Sequence, residues 1–141
     1  MSIAAILAPL FVQVALTLLL LFWMGRLRVV AVQGREVKFR DIALGQRAWP
    51  DRVTQVSNAY QNQFELPVLY YALVPLAIIT RQADLLFVAL SWIFVVARLV
   101  QAYIHTTSNR VFARFQAFAV AALVLAVMWI VFAVRILAAG A

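Results

Sequence analysis

The chain has 141 residues, of which 67% are hydrophobic and only 12% are charged, with a net charge of +7. A water-soluble domain has about twice that charged fraction, so the composition excludes an ordinary soluble protein and predicts a protein embedded in a membrane. The positive charge does not indicate nucleic-acid binding, because the basic residues fall in one connection and at helix ends rather than on a basic surface with interleaved aromatic residues.

Four apolar stretches are long enough to cross a bilayer, which takes about 20 residues of helix. They predict an all-α fold in which residues 1–141 form a single membrane domain, a four-helix bundle with spans at about 3–26, 56–79, 85–107 and 111–137. The first stretch lacks the basic start of a secretory signal, so we expect it to be retained as a helix. Pro67 and Pro75 predict kinks within the second span rather than helix ends, since neighbouring helices can satisfy the freed carbonyl groups.

The connection at about 27–55, with the residues that border it, holds most of the basic side chains. Seven basic residues lie between Gly25 and Ser57, and none precedes the first span. This asymmetry predicts that the first loop is cytoplasmic, with up-down topology and both termini on the non-cytoplasmic side. We expect a bacterial inner membrane as the location, and anionic membrane lipids as partners of the basic side chains.

Polar residues interrupt the apolar spans at one depth. Asn58, Asn62 and Glu65 have the spacing of one helix face in the second span. Because the helices alternate in direction, polar residues from all four spans should converge on the cytoplasmic third of the bundle. A carboxylate inside a membrane is by default a candidate functional residue. The converging set consists of Arg26, Arg28, Asn58, Asn62, Glu65, Arg98, Gln101, His105, Arg110 and Arg114.

The charged members of this set have two interpretations each. Glu65 and Arg98 can form an ion pair that fixes helix register, or can shape a polar pocket that offers a carboxylate to a cationic ligand group. The arginines at helix ends, Arg26, Arg28 and Arg110, can contact lipid phosphate or a ligand.

Arg114 differs from the other arginines because it lies a full turn inside the fourth span, where it can hold a carboxylate or stabilise a thiolate. His105 is a candidate catalytic residue or a hydrogen-bonded interfacial residue. We expect no metal site, since no cysteine or carboxylate stands at metal-ligand spacing from this histidine. The chain has no cysteine, so a thiol would have to come from a substrate.

The ordered motifs resemble those of the MAPEG family, the membrane-associated proteins of eicosanoid and glutathione metabolism. The resemblance covers essentially the whole chain, and the spacing between the motifs is similar to that in the microsomal prostaglandin E synthase type. It rests on four spans in about 140 residues, a basic first loop, and short motifs in each span. These motifs are Arg26-Leu27-Arg28, Asn62 and Glu65 ahead of Pro67, Ala97-Arg98, and Arg114 opening the fourth span.

The resemblance implies a homotrimer that binds glutathione between neighbouring subunits near the cytoplasmic side, while a lipophilic substrate enters from the bilayer. By position, Asn62 and Glu65 match residues that hold glutathione, and Arg26 or Arg28 matches a basic residue that reaches the tripeptide. Arg114 matches the arginine thought to activate the thiol. The implied function is a glutathione-dependent transferase or peroxidase acting on lipophilic electrophiles, with glutathione as co-substrate and Arg114 and His105 as the catalytic candidates.

Four positions depart from the family pattern and support a second hypothesis. Family enzymes commonly have arginine at the position of Asn58, a basic residue near Gln61, tyrosine at His105 and, in the prostaglandin synthase, serine at Phe115. A neutral amide does not replace a bidentate arginine. The alternative is therefore a non-catalytic family member that binds lipid or supports a membrane complex. A small transporter is a third possibility, disfavoured because the polar residues reach only one side of the bilayer.

Overall fold

The computed structural model describes residues 1–45 and 47–140, which are helical with short connections and contain no strand. This agrees with the predicted all-α class. Six α-helices occur in this part of the chain: α1 (Ile3–Gln33), α2 (Phe39–Ile42), α3 (Asp51–Gln61), α4 (Leu66–Ile79), α5 (Leu85–Thr106) and α6 (Val111–Ala139).

Four helical segments are long and apolar enough to cross a membrane, as predicted. They are Ile3–Gln33, Asp51–Ile79, Leu85–Thr106 and Val111–Ala139, and the second combines α3 and α4 with the 3-10 turn Asn62–Phe64 between them. Many large apolar side chains lie on the outside of the bundle, a surface suited to lipid rather than water. The chain is an integral, multi-pass membrane protein.

The first helix extends beyond the predicted end at residue 26. It continues to Gln33 because Ala31 is buried against Val37 and Val53, a long-range contact that holds the last turns in place. Gly34 then closes the helix, with its N–H donating to the carbonyl of Val30 at 2.9 Å. Arg26 and Arg28 therefore lie on the helix itself, and the connection to α3 is shorter than predicted.

The second span contains a break where only kinks were predicted. The helix ends at Gln61, and Glu65 leaves the helical conformation with φ −96° and ψ −103°. Pro67 explains the position of the break: it has no N–H for the carbonyl of Gln63, and its ring would clash with that carbonyl in a continuous helix. Pro75 remains inside α4, as predicted.

α5 occupies the centre of the bundle. In its most apolar window 50% of the residues are buried, against 17% for α6 and 22% for α1. Its aromatic residue Phe94 packs on Tyr70 of α4 with ring centroids 4.9 Å apart. Toward one end the core is apolar, and toward the other, where α3 begins and α5 ends, it becomes polar. We call the second region the polar end.

Candidate functional site

The end of α5 is fixed to α3 by side-chain hydrogen bonds. Arg52 donates to the carbonyl of Thr106 at 2.5 Å, and the amide nitrogen of Gln55 donates to the carbonyls of His105 at 2.8 Å and Thr107 at 3.2 Å. The last carbonyls of a helix have no partner within the helix, so these two side chains satisfy groups that burial would otherwise leave costly. They also fix the height of His105 relative to α3.

Arg98 is completely buried and supports the helix break. It donates to the backbone carbonyl of Asn62 at 2.7 Å and to the side-chain oxygen of Gln101. The guanidinium therefore satisfies a backbone carbonyl near the break and holds the Gln101 side chain in position. The ion pair of Arg98 with Glu65 is not formed. Glu65 lies at the break in the second span, is exposed on the single chain and does not line the cleft described below.

A cleft of about 360 Å³ opens beside these groups at the polar end. The amide nitrogen of Asn62 lies 3.1 Å from Nδ1 of His105. An amide N–H can only donate, so Nδ1 accepts and a neutral His105 carries its proton on Nε2. The polar residues that line this cleft, named the arginine cleft below, are Asn58, Asn62, Gln101, His105 and Arg114, and the apolar ones are Val111, Phe115 and Phe118.

Arg114 is held by the turn between α5 and α6. One of its terminal nitrogens donates to the side-chain oxygen of Asn109 at 2.7 Å. Asn109 has the left-handed value φ 50°, which asparagine tolerates better than most residues, and its N–H donates to the carbonyl of Ile104 at 2.7 Å. Because one end of the guanidinium is anchored, its remaining donors have a defined direction for a ligand.

The arginine cleft is electropositive. Arg114 lines it, the buried Arg98 stands behind Asn62 and Gln101, and no carboxylate is among its lining residues in the described part of the chain. Such a cleft attracts anions, and a guanidinium can form charge-assisted hydrogen bonds to a carboxylate or stabilise a thiolate. The neutral amides and the imidazole add hydrogen bonds without adding charge.

The remaining predicted site residues do not line this cleft. Arg28 lies in a second cleft on another side of α3, and Arg98 contributes through Asn62 and Gln101. Arg26, Glu65 and Arg110 are exposed on the single chain, and Arg110 is the residue just before α6. The predicted set is thus divided among the arginine cleft, the buried position behind it, the second cleft and the outer surface.

Several supporting residues escaped the sequence analysis. Arg52 and Gln55 continue the face of Asn58 and Asn62 at helical spacing, which is a signal that could have identified them. Phe118 follows Arg114 by one helical turn and therefore shares its face. Asn109 gave no signal beyond its place in a polar turn.

The family model of the MAPEG family matches residues 6–134, which include most of α1, all of α2 to α5 and most of α6. No curated protein and no solved structure matches the chain. Since the family match spans nearly the whole bundle, including every residue of the arginine cleft, the chain belongs to the MAPEG family.

Proposed function

We propose that this protein is a membrane-bound, glutathione-dependent transferase or peroxidase that acts on lipophilic electrophiles. The observation that carries the proposal is the arginine cleft, in which Arg114 lies with Asn62, Gln101 and His105 and no lining carboxylate among the described residues. Glutathione offers two carboxylates and a thiol, groups that suit an electropositive cleft with neutral hydrogen-bond donors. Membership in the MAPEG family is consistent with this function.

Arg114 has the role of stabilising the glutathione thiolate. A nearby guanidinium lowers the pKa of a thiol and so raises the fraction of the nucleophilic form at neutral pH. In the transferase reaction the sulfur bonds the electrophilic carbon, and the electron pair of the broken bond goes to the leaving group. His105, with Nε2 protonated, supplies a hydrogen bond for that group, and Phe115 and Phe118 form the apolar wall against which a lipophilic substrate packs.

The assembly that fits this function is a homotrimer with the first loop in the cytoplasm and both termini on the other side of a bacterial inner membrane. Close pairs such as Gln13 with Gln63, Arg52 with Thr106 and Asp84 with Arg135 support the up-down order. The exposed Glu65 and Arg26 support a neighbouring subunit, because a charged group in a membrane span is costly unless protein or water covers it. In the trimer both residues face glutathione bound at the subunit boundary.

Glutathione binding tests the proposal. Calorimetry on detergent-purified protein should show saturable binding that Arg114→Ala weakens by about tenfold or more, since it removes a hydrogen bond to a charged group. Arg81→Ala is the matched control, because Arg81 is exposed in the turn at the other end of the bundle. The ultraviolet absorbance of bound thiolate at neutral pH should disappear with Arg114→Ala. Equal affinity and equal thiolate signal in both variants would refute the role of Arg114.

The second candidate is a non-catalytic, lipid-binding or complex-supporting protein of the same family. It is favoured by Asn58, a neutral residue on the rim of the arginine cleft where family enzymes commonly have arginine. This function predicts no glutathione binding at millimolar concentration, together with lipid that stays bound through purification and is identified by mass spectrometry. Glutathione turnover with a generic electrophile above the uncatalysed rate would exclude it.

A further inference from the structure

A second cleft, of about 460 Å³, lies between the last turns of α1, the connection to α3 and α3 itself. We name it the loop cleft. It shares only Asn58 with the arginine cleft, so a ligand there would not contact Arg114 or His105. Its lining residues are Arg28, Gly45, Arg47, Trp49, Thr54, Ser57, Asn58 and Gln61.

The Arg28 guanidinium is held in place on two sides. Its carbon lies 5.1 Å from the centre of the Trp49 ring, a cation–π arrangement, and one terminal nitrogen donates to the hydroxyl of Ser57 at 3.1 Å. Its Nε is buried and has no hydrogen-bond partner among the described residues. An arginine has five N–H donors, and burying one unsatisfied is costly. The side chain is therefore held in a fixed orientation, and the terminal N–H groups that do not bond Ser57 remain able to donate to an acceptor in the cleft.

The charge of the loop cleft is not balanced. Two arginines line it, and neither pairs with a carboxylate: the salt bridges in the described part of the chain are Arg40–Asp41 and Arg135–Asp84. The other polar lining groups are hydroxyls and amides, which can donate to oxygen atoms. Arginine forks match the oxygen atoms of phosphate in a bidentate manner. An anion with several acceptor oxygens satisfies this set better than a single carboxylate does.

The loop cleft lies at the end of a membrane span, a depth that the phosphate of a lipid headgroup can reach. Arg28 lies near the end of a membrane span, and Trp49 lies in the adjoining connection. Tryptophan and arginine at the end of a span are typical of the depth of lipid headgroups. We propose that the loop cleft binds a phosphate group, of an anionic lipid or of a soluble phosphate compound, independently of the arginine cleft.

The test measures phosphate-dependent binding on the delipidated full chain in a neutral detergent. Short-chain phosphatidylglycerol should bind saturably, and phosphatidylcholine of the same chain length should bind far more weakly. Arg28→Gln should weaken the phosphatidylglycerol affinity by about tenfold, the scale of one charge-assisted hydrogen bond. Arg40→Gln, an exposed arginine of the same connection, is the charge-matched control and should bind as the wild type does.

Two further measurements identify the source of the phosphate group and provide a second variant in case Arg28→Gln does not fold. If inorganic phosphate at millimolar concentration competes with the lipid, the phosphate group alone is sufficient for binding. If it does not compete, the ligand is the lipid headgroup. Arg47→Gln, with no salt bridge to lose in the described structure, should also weaken binding and serves if Arg28→Gln fails to fold. Arg114→Ala should leave lipid binding unchanged, which separates this site from the proposed glutathione site. Equal affinities for both lipids, or for Arg47→Gln and Arg40→Gln, would overturn the proposal.

Discussion

Gln13 and Gln63 are polar residues buried inside the bundle, with exposures of 0% and 1%. The amide nitrogen of Gln13 donates to the side-chain oxygen of Gln63 at 2.9 Å, and Gln63 in turn donates to the carbonyl of Ala59 at 2.9 Å. Buried amides are costly unless they are bonded, so each glutamine depends on the other. The pair fixes the height of α1 against the end of α3, next to the break that supports the arginine cleft.

Substitution of this pair should show coupling. Gln13→Leu or Gln63→Leu alone should lower the free energy of unfolding by about 1–2 kcal/mol, because each leaves one partner unsatisfied. The double variant should cost less than the sum of the two, by about 0.6 kcal/mol, the average that double-mutant cycles give for hydrogen bonds between membrane helices. A denaturant titration in mixed micelles measures the free energy of unfolding of the wild type, the two single variants and the double variant. Strict additivity would contradict a direct interaction.

At the scale of the elements, the turn between α4 and α5 is tied to the end of α6. Asp84 accepts a hydrogen bond from the N–H of Phe87 at 2.9 Å, which caps α5, and forms a salt bridge with Arg135 at 2.8 Å. The hydrogen bond from Arg135, followed by that from Phe87, holds the pKa of Asp84 below its ordinary value of 3.8. The carboxylate therefore stabilises the fold above pH 3.8, and this contribution is lost as the pH falls through the lower pKa of the folded state.

Asp84→Asn should reveal this pH dependence. Asparagine keeps an oxygen that can cap α5 but removes the charge, so the substitution isolates the ion pair. Because both side chains are partly exposed, we expect a loss of at most about 1 kcal/mol at neutral pH. The difference in melting temperature between wild type and variant should shrink as the pH drops below 3.8. Thermal scans in a maltoside detergent measure it, and a constant difference between pH 7 and pH 3 would argue against the ion pair.

At the scale of the whole molecule, the single chain leaves much of its apolar surface uncovered. Only 17% of the residues in the apolar window of α6 and 22% in that of α1 are buried, so lipid or other subunits must cover these faces. Lipid tails can cover apolar side chains, but they cannot satisfy a carboxylate within a span. The exposed Glu65 therefore favours covering by a second copy of the chain.

The proposed trimer predicts complementation between two defective variants. In this trimer each site would use Arg26 from one subunit and Arg114 from its neighbour, so Arg26→Ala and Arg114→Ala should each weaken glutathione binding by about tenfold or more. Co-expression with two different tags, followed by tandem purification of mixed trimers, should restore about one third of the sites, because each mixed cyclic trimer has one boundary with both arginines intact. Calorimetry counts the restored sites. If mixed assemblies form and bind no glutathione, the site does not use both residues across a boundary.

The sequence by itself determined the class, the four spans and the convergence of polar residues on one end. Each follows from local rules: the hydrocarbon thickness sets span length, and helical periodicity assigns residues to faces. The same rules predicted that Asn62, Gln101, His105 and Arg114 would come together, and the structure agrees.

Only the tertiary structure determined which of the polar residues line the arginine cleft and which lie elsewhere. Periodicity assumes an unbroken helix and so placed Glu65 on the face of Asn62, whereas Glu65 lies at the break before Pro67, and Arg98 bonds the backbone carbonyl of Asn62 and not this carboxylate. The length of α1 depended on contacts of Ala31 with residues far along the chain, and these contacts carried Arg28 into a separate cleft. Such choices depend on packing between distant segments, which no local pattern encodes.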